Sequence, residues 1–366
     1  MATRNFSIFA AAIILFALLC GCGQKDGSAD LANGMAEGGG TESAAVGGDA
    51  GTGAGTGTGT GAESTAPAGG AYTVYPIVVG EDKAYPLDGI LSLPTDAVGK
   101  APAVVLVHGS GPSDMNEDIY GITVFKDIAE YLASNGIAAL RYNKRTHTYR
   151  DELMRKLGDD MTVYEEVIED AIAAKQLLAD DGRIDADNIY VIGHDLGGML
   201  VPRIVEEGGY AGGVIMAGSL RDILEVIYDQ NVYLVGLLGL DDDELGEYVA
   251  EVDAAREELF GLSTKYYRDM VANPAEKYLL GTTKPFLVLQ GGKDFQMTPE
   301  KDFSQYKRIA DERPGIELKL YENLNHMFTV STMEDPMQDD YVPGSHVDAE
   351  PLRDIADWIK RVADVR

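Results

Sequence analysis

Hydrophobic and polar positions change their rhythm along the chain and divide it into three regions. Residues 6–19 form an almost wholly apolar run behind Arg4. Residues 23–70 carry almost no large apolar side chain and repeat Gly, Ala, Thr and Ser, as in GTGAGTGTGTG. From Ala71 onward, short apolar runs alternate with stretches in which apolar residues recur every three or four positions. The first pattern predicts strands and the second amphipathic helices. Strands are expected at 72–79, at 85–93 (with Asp88-Gly89 marking a bend), at 103–108, 137–142, 189–192, 213–217, 285–290 and 316–321. The runs AVVLVH at 103–108 and IAALRY at 137–142 are continuous, as in strands buried on both faces. Helical spacing appears at 124–135 (Phe125, Ile128, Leu132), which stops at Gly136, along 162–178, and at 348–365. Strand and helix alternate with short connections, which predicts an α/β fold: a mostly parallel central sheet with helices on both faces.

One segment breaks the alternation. Residues 220–280 show helical spacing without a strand and are expected to form a lid over the carboxyl ends of the strands. Its aromatic residues Tyr228, Tyr233, Tyr248, Phe260, Tyr266 and Tyr267 are expected to pack it onto the body. The acidic run 241–244 reads as a solvated helix start, where carboxylates are favoured.

The centre of the candidate chemistry is NIYVIGHDLGGMLV at 188–201. A strand runs into a turn bracketed by Gly193 and Gly197 and then into a helix, the context of a nucleophile elbow, G-x-S-x-G. Here Asp195 stands where that pattern has serine. A carboxylate at a helix N-terminus is stabilised by the dipole and the free N–H groups, so Asp195 should be ionised at neutral pH. The strand at 103–108 leads into HGSGP, a glycine-rich loop placed to supply one oxyanion-hole donor. The two donors would be the backbone N–H groups of Ser110 and Leu196. PFLVLQ leads to Asp294 and IELKLY to His326, so the chain order is elbow, acid, histidine. Of the other histidines, His194 is expected to pack beside the elbow and His108 to support the loop, while His147 and His346 have no evident partner. Ser110 and Ser113 sit on no elbow, and Arg141, Lys144 and Arg145 read as a solvated basic cluster near the mouth.

Composition narrows the picture. The 366 residues include 60 acidic and 30 basic side chains, a net charge of −30, which repels phosphate backbones and argues against a nucleic-acid partner. Cys20 and Cys22 are the only cysteines, so the body has neither a disulfide framework nor a thiolate zinc site. No cofactor or metal is implied. Arg4 and the apolar run resemble a signal segment, and Leu19-Cys20-Gly21-Cys22 resembles a bacterial lipobox, with Gly21 before Cys22. Residues 1–22 are thus expected to be a lipoprotein signal peptide with Cys22 lipidated, 23–70 a flexible tether, and 71–366 the folded domain. That arrangement would hold the domain on the extracytoplasmic side of a bacterial cell envelope, touching membrane only through the lipid.

From about Tyr72 to the end, the segments HGSGPSD, IGHDLGG, LQGGKDFQ and NLNHMF resemble those of α/β-hydrolases of the esterase and dienelactone-hydrolase-like branch. The resemblance implies an α/β-hydrolase fold, Asp294 orienting His326, His326 as general base, and small carboxylic esters as substrates. Asp195 departs from it. A carboxylate attacking an ester would form a high-energy mixed anhydride, whereas attack on an sp³ carbon gives a stable alkyl-enzyme ester. GHDLGG resembles the GHDWGG elbow of epoxide hydrolases, which share an Asp–His–acid plan with haloalkane dehalogenases. Leu196, however, stands where dehalogenases carry a halide-holding tryptophan, and the only tryptophan, Trp358, lies in the last helix. Three readings follow: an esterase-like hydrolase altered at residue 195, an Asp-nucleophile hydrolase of epoxides or haloalkanes, and a binding protein that keeps the pocket.

Overall fold

A computed structural model of the chain describes residues 70–95, 99–237, 240–261, 265–334 and 340–364. The expected signal segment, Cys22 and nearly all of the expected tether lie outside the described residues.

The apolar runs form one eight-stranded sheet. Its strands are β1 (Tyr72–Val79), β2 (Leu87–Pro94), β3 (Ala101–Val107), β4 (Ala138–Tyr142), β5 (Ile184–His194), β6 (Gly213–Met216), β7 (Phe286–Gly291) and β8 (Ile316–Tyr321). Their order is β1-β2-β4-β3-β5-β6-β7-β8. The hairpin β1–β2 joins antiparallel to β4, and every pairing from β4 to β8 is parallel. The helices include α1 (Val124–Ser134), α2 (Glu169–Asp180), α3 (Leu196–Glu207), α4 (Ile223–Gly236), α5 (Asp242–Gly261), α6 (Lys265–Ala272), α7 (Ala275–Gly281), α8 (Ser304–Glu312) and α9 (Ala349–Asp364), with two short ones, Arg145–Thr148 and Arg150–Lys156, after β4.

The alternation of side chains along each parallel strand feeds two cores. Val105 and Val107 of β3 and Val191 of β5 join Ala171 and Leu178 of α2, Val201 and Ile204 of α3 and Ile309 of α8. Val104 and Leu106, with Tyr190 and Ile192, join Phe125 and Ile128 of α1 and Ile355 and Trp358 of α9. Both faces are therefore covered, which is why these strands read as unbroken apolar runs.

Most of the described residues of the expected lid lie in the helices α4 to α7. Tyr233 of α4 stacks on Phe295, just past the carboxyl end of β7, at 5.5 Å. Arg203 of α3 pairs with Asp269 of α6, and the Tyr267 hydroxyl donates to Asp222 at 2.8 Å. Asp241 accepts the Asp243 and Glu244 N–H groups and so caps α5, as the acidic run suggested.

Three features differ from the apolar pattern. β5 begins five residues earlier than its apolar run, because the polar residues Asp185 and Asp187 disguise its first half. The expected helix at 162–178 opens with a π turn, Tyr164–Ile168, before α2. A small hairpin, Asp118–Ile119 with Ile122–Thr123, follows the loop after β3 and is too short to have a period.

Two glycines make the junction of β5 and α3 possible. A β-carbon on Gly193 would lie 2.3 Å from the Gly197 carbonyl oxygen, and one on Gly197 would lie 2.2 Å from that of Val107. Backbone cannot yield as a flexible side chain can. Gly197→Ala should therefore destabilise the protein by about 3 kcal/mol or more, read as a lower midpoint in urea unfolding; an unchanged midpoint would refute this account of the elbow.

Candidate active site

All candidate groups stand at the carboxyl ends of parallel strands, where open α/β sheets place their ligands. β5 ends at His194, and the next residue, Asp195, takes φ 52° and ψ −118° before α3 begins. A non-glycine residue at positive φ in a sharp strand-to-helix turn is the elbow geometry, strained by roughly 1–3 kcal/mol. The Asp195 N–H donates to the Met216 carbonyl at 3.0 Å, and the Asp195 carbonyl accepts the Met199 N–H at 3.0 Å, so backbone on both sides holds the turn.

The Asp195 carboxylate lies in the expected oxyanion hole. The Ser110 N–H donates to Asp195 Oδ2 at 2.8 Å, and the Leu196 N–H, at the start of α3, stands beside the same carboxylate. Gly109 leaves room for it: a β-carbon there would meet Asp195 Oδ2 at 2.9 Å. Burial pushes the Asp195 carboxyl up, but His326, His194 and these two N–H groups outweigh it and hold the group below its ordinary range. Its side chain keeps 13% of its surface exposed, whereas that of His326 keeps 2%.

His326 follows β8. Its Nδ1 lies 2.8 Å from Asp294 Oδ2, and its Nε2 lies 3.9 Å from Asp195 Oδ1, beyond a direct hydrogen bond but within reach of a bridging atom. Asp294 is itself fixed: Oδ1 accepts the Gln296 and Met297 N–H groups at 2.8 and 2.9 Å, and Oδ2 accepts the Gln290 side-chain amide at 3.0 Å. The three residues expected from chain order thus converge, and the expected Ser110 donor bonds residue 195.

Several neighbours correct the sequence reading. Arg141, Lys144 and Arg145 are not a solvated cluster; all three are buried. Lys144 Nζ donates to the carbonyls of Gly109 and Gly111 at 2.8 and 3.0 Å and pairs with Glu166 at 2.7 Å, clamping the loop that carries Ser110. Arg145 pairs with Asp170, and Arg141 donates to the Asn116 side chain. Arg141 lies within β4 and Lys144 and Arg145 just past it, where the carboxyl end of a buried strand opens onto the site. His194 does more than pack: it lies 3.1 Å from Glu117 and 2.9 Å from the His326 carbonyl oxygen. Glu117 had no sequence signal at all. His346 has a partner, Asp127, at 3.1 Å, and His147 lies in a short helix, Arg145–Thr148. His108 bonds the Asp114 carbonyl at 2.9 Å within its loop, as expected, and burial pulls its pKa down to about 4. Among the described residues, no three His, Cys, Asp or Glu side chains gather closely enough to hold a metal.

A strained elbow, two hole donors and an acid–histidine pair, in this chain order on this sheet, define a recognisable arrangement, and residues 104–339 match the alpha/beta hydrolase family along their length. The chain belongs to the α/β hydrolase family. This α/β hydrolase is 36% identical over 279 residues to esterase EstD of Thermotoga maritima, a match covering 75% of this chain and 65% of that protein. The chain thus spans slightly under two thirds of that relative's length. Among solved structures it is similar in fold to the Pyrococcus furiosus esterase Pf2001, with a TM-score of 0.50 and 20% identity over 80% of this chain and 91% of that one.

The clamp on the loop can be tested separately from the chemistry. Lys144→Met would leave Glu166 buried without its cation and free two loop carbonyls. The expected loss is about 3–5 kcal/mol of stability at neutral pH, measured by chemical unfolding; a loss below 1 kcal/mol would mean that the clamp contributes little.

Proposed function

We propose that this protein hydrolyses small carboxylic esters, with His326 as general base and Asp294 orienting it. The observation that carries the reading is the His326 imidazole, bound to Asp294 at 2.8 Å through Nδ1 and facing residue 195 with Nε2. Its similarity to an esterase supports the substrate class. Direct attack by Asp195 on an ester carbonyl would form a mixed anhydride, so water is the nucleophile. Nε2 of His326 takes one proton as the water oxygen bonds to the carbonyl carbon, then returns it to the departing alkoxide. The Asp195 carboxylate stabilises the imidazolium formed in between. Because that carboxylate already takes the N–H group of Ser110, the developing oxyanion lacks this donor and turnover is slow.

A second reading is favoured by the same occupancy. With Oδ2 held, Oδ1 is the oxygen left facing His326, suited to attack an sp³ carbon of an epoxide or alkyl halide. The carbon–leaving-group bond would break as an ester bond forms at Oδ1. Water deprotonated by His326 would then attack Cγ of Asp195 with the oxyanion at Oδ2, and its collapse would break the Cγ–Oδ1 bond, the departing alkoxide taking the proton back from His326.

A panel of p-nitrophenyl esters, an epoxide and a haloalkane, run on the parent, Asp195→Ser and His326→Ala proteins, separates the readings. Ester hydrolysis should be slow in the parent, absent in His326→Ala, and raised at least about 100-fold in Asp195→Ser, which frees the hole. Epoxide or haloalkane turnover, with heavy oxygen from labelled water entering Asp195 in a single turnover, would replace the first reading with the second. Ligand binding without turnover of any substrate would leave a binding protein.

We further propose that Cys22 is lipidated and tethers the domain to a bacterial envelope from the extracytoplasmic side, on the strength of Leu19-Cys20-Gly21-Cys22 and the Gly-rich stretch behind it. Cells fed labelled palmitate should label the protein, and Cys22→Ala should abolish the label; label that persists in the variant would exclude Cys22 as the anchor.

A further inference from the structure

His194, next to Asp195, has no exposed surface, and its ring nitrogens both face acceptors. Nε2 lies 2.9 Å from the His326 carbonyl oxygen, which can only accept, so Nε2 carries a hydrogen. Nδ1 lies 3.1 Å from Glu117 Oε2. The other oxygen of Glu117 accepts the Gly109 N–H at 2.8 Å. One proton must therefore lie between Glu117 and Nδ1, in addition to the one on Nε2. The chain of contacts runs from the oxyanion loop, through Glu117 and His194, to the backbone of the residue that bears the candidate base.

We propose that Glu117 and His194 are positioning residues: an ion pair of carboxylate and imidazolium that fixes the distance between the oxyanion loop and His326. The loop end is Gly109, whose neighbour Ser110 supplies a hole donor. The other end is the His326 carbonyl, on the residue whose ring faces Asp294 and Asp195. Neither end is covalently near the other; Glu117 and His194 are 77 residues apart, and His194 and His326 are 132 apart.

The groups facing His194 are consistent with a charged ring. Glu117 comes from the loop after β3, Asp195 from the elbow, and His326 and Phe328 from the segment after β8, with ring centroids 4.7 and 6.4 Å away. Burial alone would favour the neutral ring, but Glu117, Asp195 and the His326 carbonyl reverse that and raise the pKa to about 9. A histidine held above its unfolded value of about 6.5 adds stability in full below that value. The contribution fades as pH rises from there through about 9.

Glu117 is also held at φ 49°, a conformation that costs a non-glycine side chain energy. The surrounding loop overcomes that cost while aiming the carboxylate at both Gly109 and His194.

Imidazole ¹⁵N NMR on the intact protein tests the pair, with His194 assigned by the signals missing in His194→Gln. Both ring nitrogens of His194 should carry a proton from pH 6 to 8. In Glu117→Gln the amide oxygen can stay on Gly109 while its NH₂ donates to a bare Nδ1, so one of the two N–H signals should vanish. In His194→Gln the His326 Nδ1–H signal, which reports the bond to Asp294, should shift or broaden. A single protonated nitrogen on His194 in the parent, or an unmoved His326 signal in His194→Gln, would overturn the proposal. The consequence for turnover rests on the hydrolase reading: His194→Gln should lower kcat about 100-fold while KM changes little, as expected when a base is misplaced by about 1 Å. A parent that turns over no substrate defeats that reading, and the NMR signals then decide this proposal alone.

Discussion

At the carboxyl end of β5, a backbone N–H group already holds an anion, and the anion belongs to the chain itself. The Ser110 donor meets the Asp195 carboxylate beside the Leu196 N–H, and the rest of the site is arranged around that contact. The donors come from different strand ends, so the contact exists only while β3 and β5 are neighbours in register. Val107 of β3 pairs with Gly193 of β5, which brings the loop at 109–111 beside the elbow. Gly193 and Gly197 then let the turn close against that loop. The apolar runs that make both strands buried thus place the Ser110 donor beside residue 195.

Around this contact the molecule buries charge in pairs. Lys144 pairs with Glu166, Arg145 with Asp170, and His194 with Glu117. In a chain with 60 acidic side chains against 30 basic ones, cations are the scarcer kind. Placing three of them out of solvent costs desolvation, and replacing such pairs by apolar groups is often neutral or stabilising. Stability alone therefore does not account for them. Lys144 and the Glu117–His194 pair each hold backbone of the loop at 109–111, and the latter also holds the backbone of His326. They act on precision, since a loop without such ties would sample positions in which its donors miss residue 195.

The fold was largely legible in the sequence because its main elements are periodic or continuous over many residues. AVVLVH, NIYVIGHD and PFLVLQ are apolar runs that end in chemistry, and chain order alone proposed Asp195, Asp294 and His326 as one group. Ser110 and Leu196 followed from their places beside glycines. Glu117, Lys144 and the bonds of His194 were not legible. Each makes its defining contact with a segment far away in sequence, and neither period nor spacing encodes which loop a lone charged residue meets. Lys144 read as solvated because it follows the apolar strand at 137–142, whereas that strand ends inside the molecule. The strand β5 was read too short for a related reason: Asp185 and Asp187 interrupt its apolar pattern, although the backbone there already extends along β3.

The identity of residue 195 and the shape around it are separable in physical terms. The elbow's positive φ is set by the bonds of residue 195 to Met216 and Met199, which involve only backbone. Asp tolerates left-handed backbone better than most side chains, because its short polar group can bond locally. A carboxylate at the first turn of α3 also gains from the free N–H groups of the helix. A serine-to-aspartate difference at this position therefore asks little of the fold. What it alters is the destination of the hole donors, from a substrate oxygen to a side chain. The same body that would stabilise charge appearing on an ester then stabilises charge already present on the protein. Chemistry at this site gains from those donors only if the charge they hold takes part in the reaction.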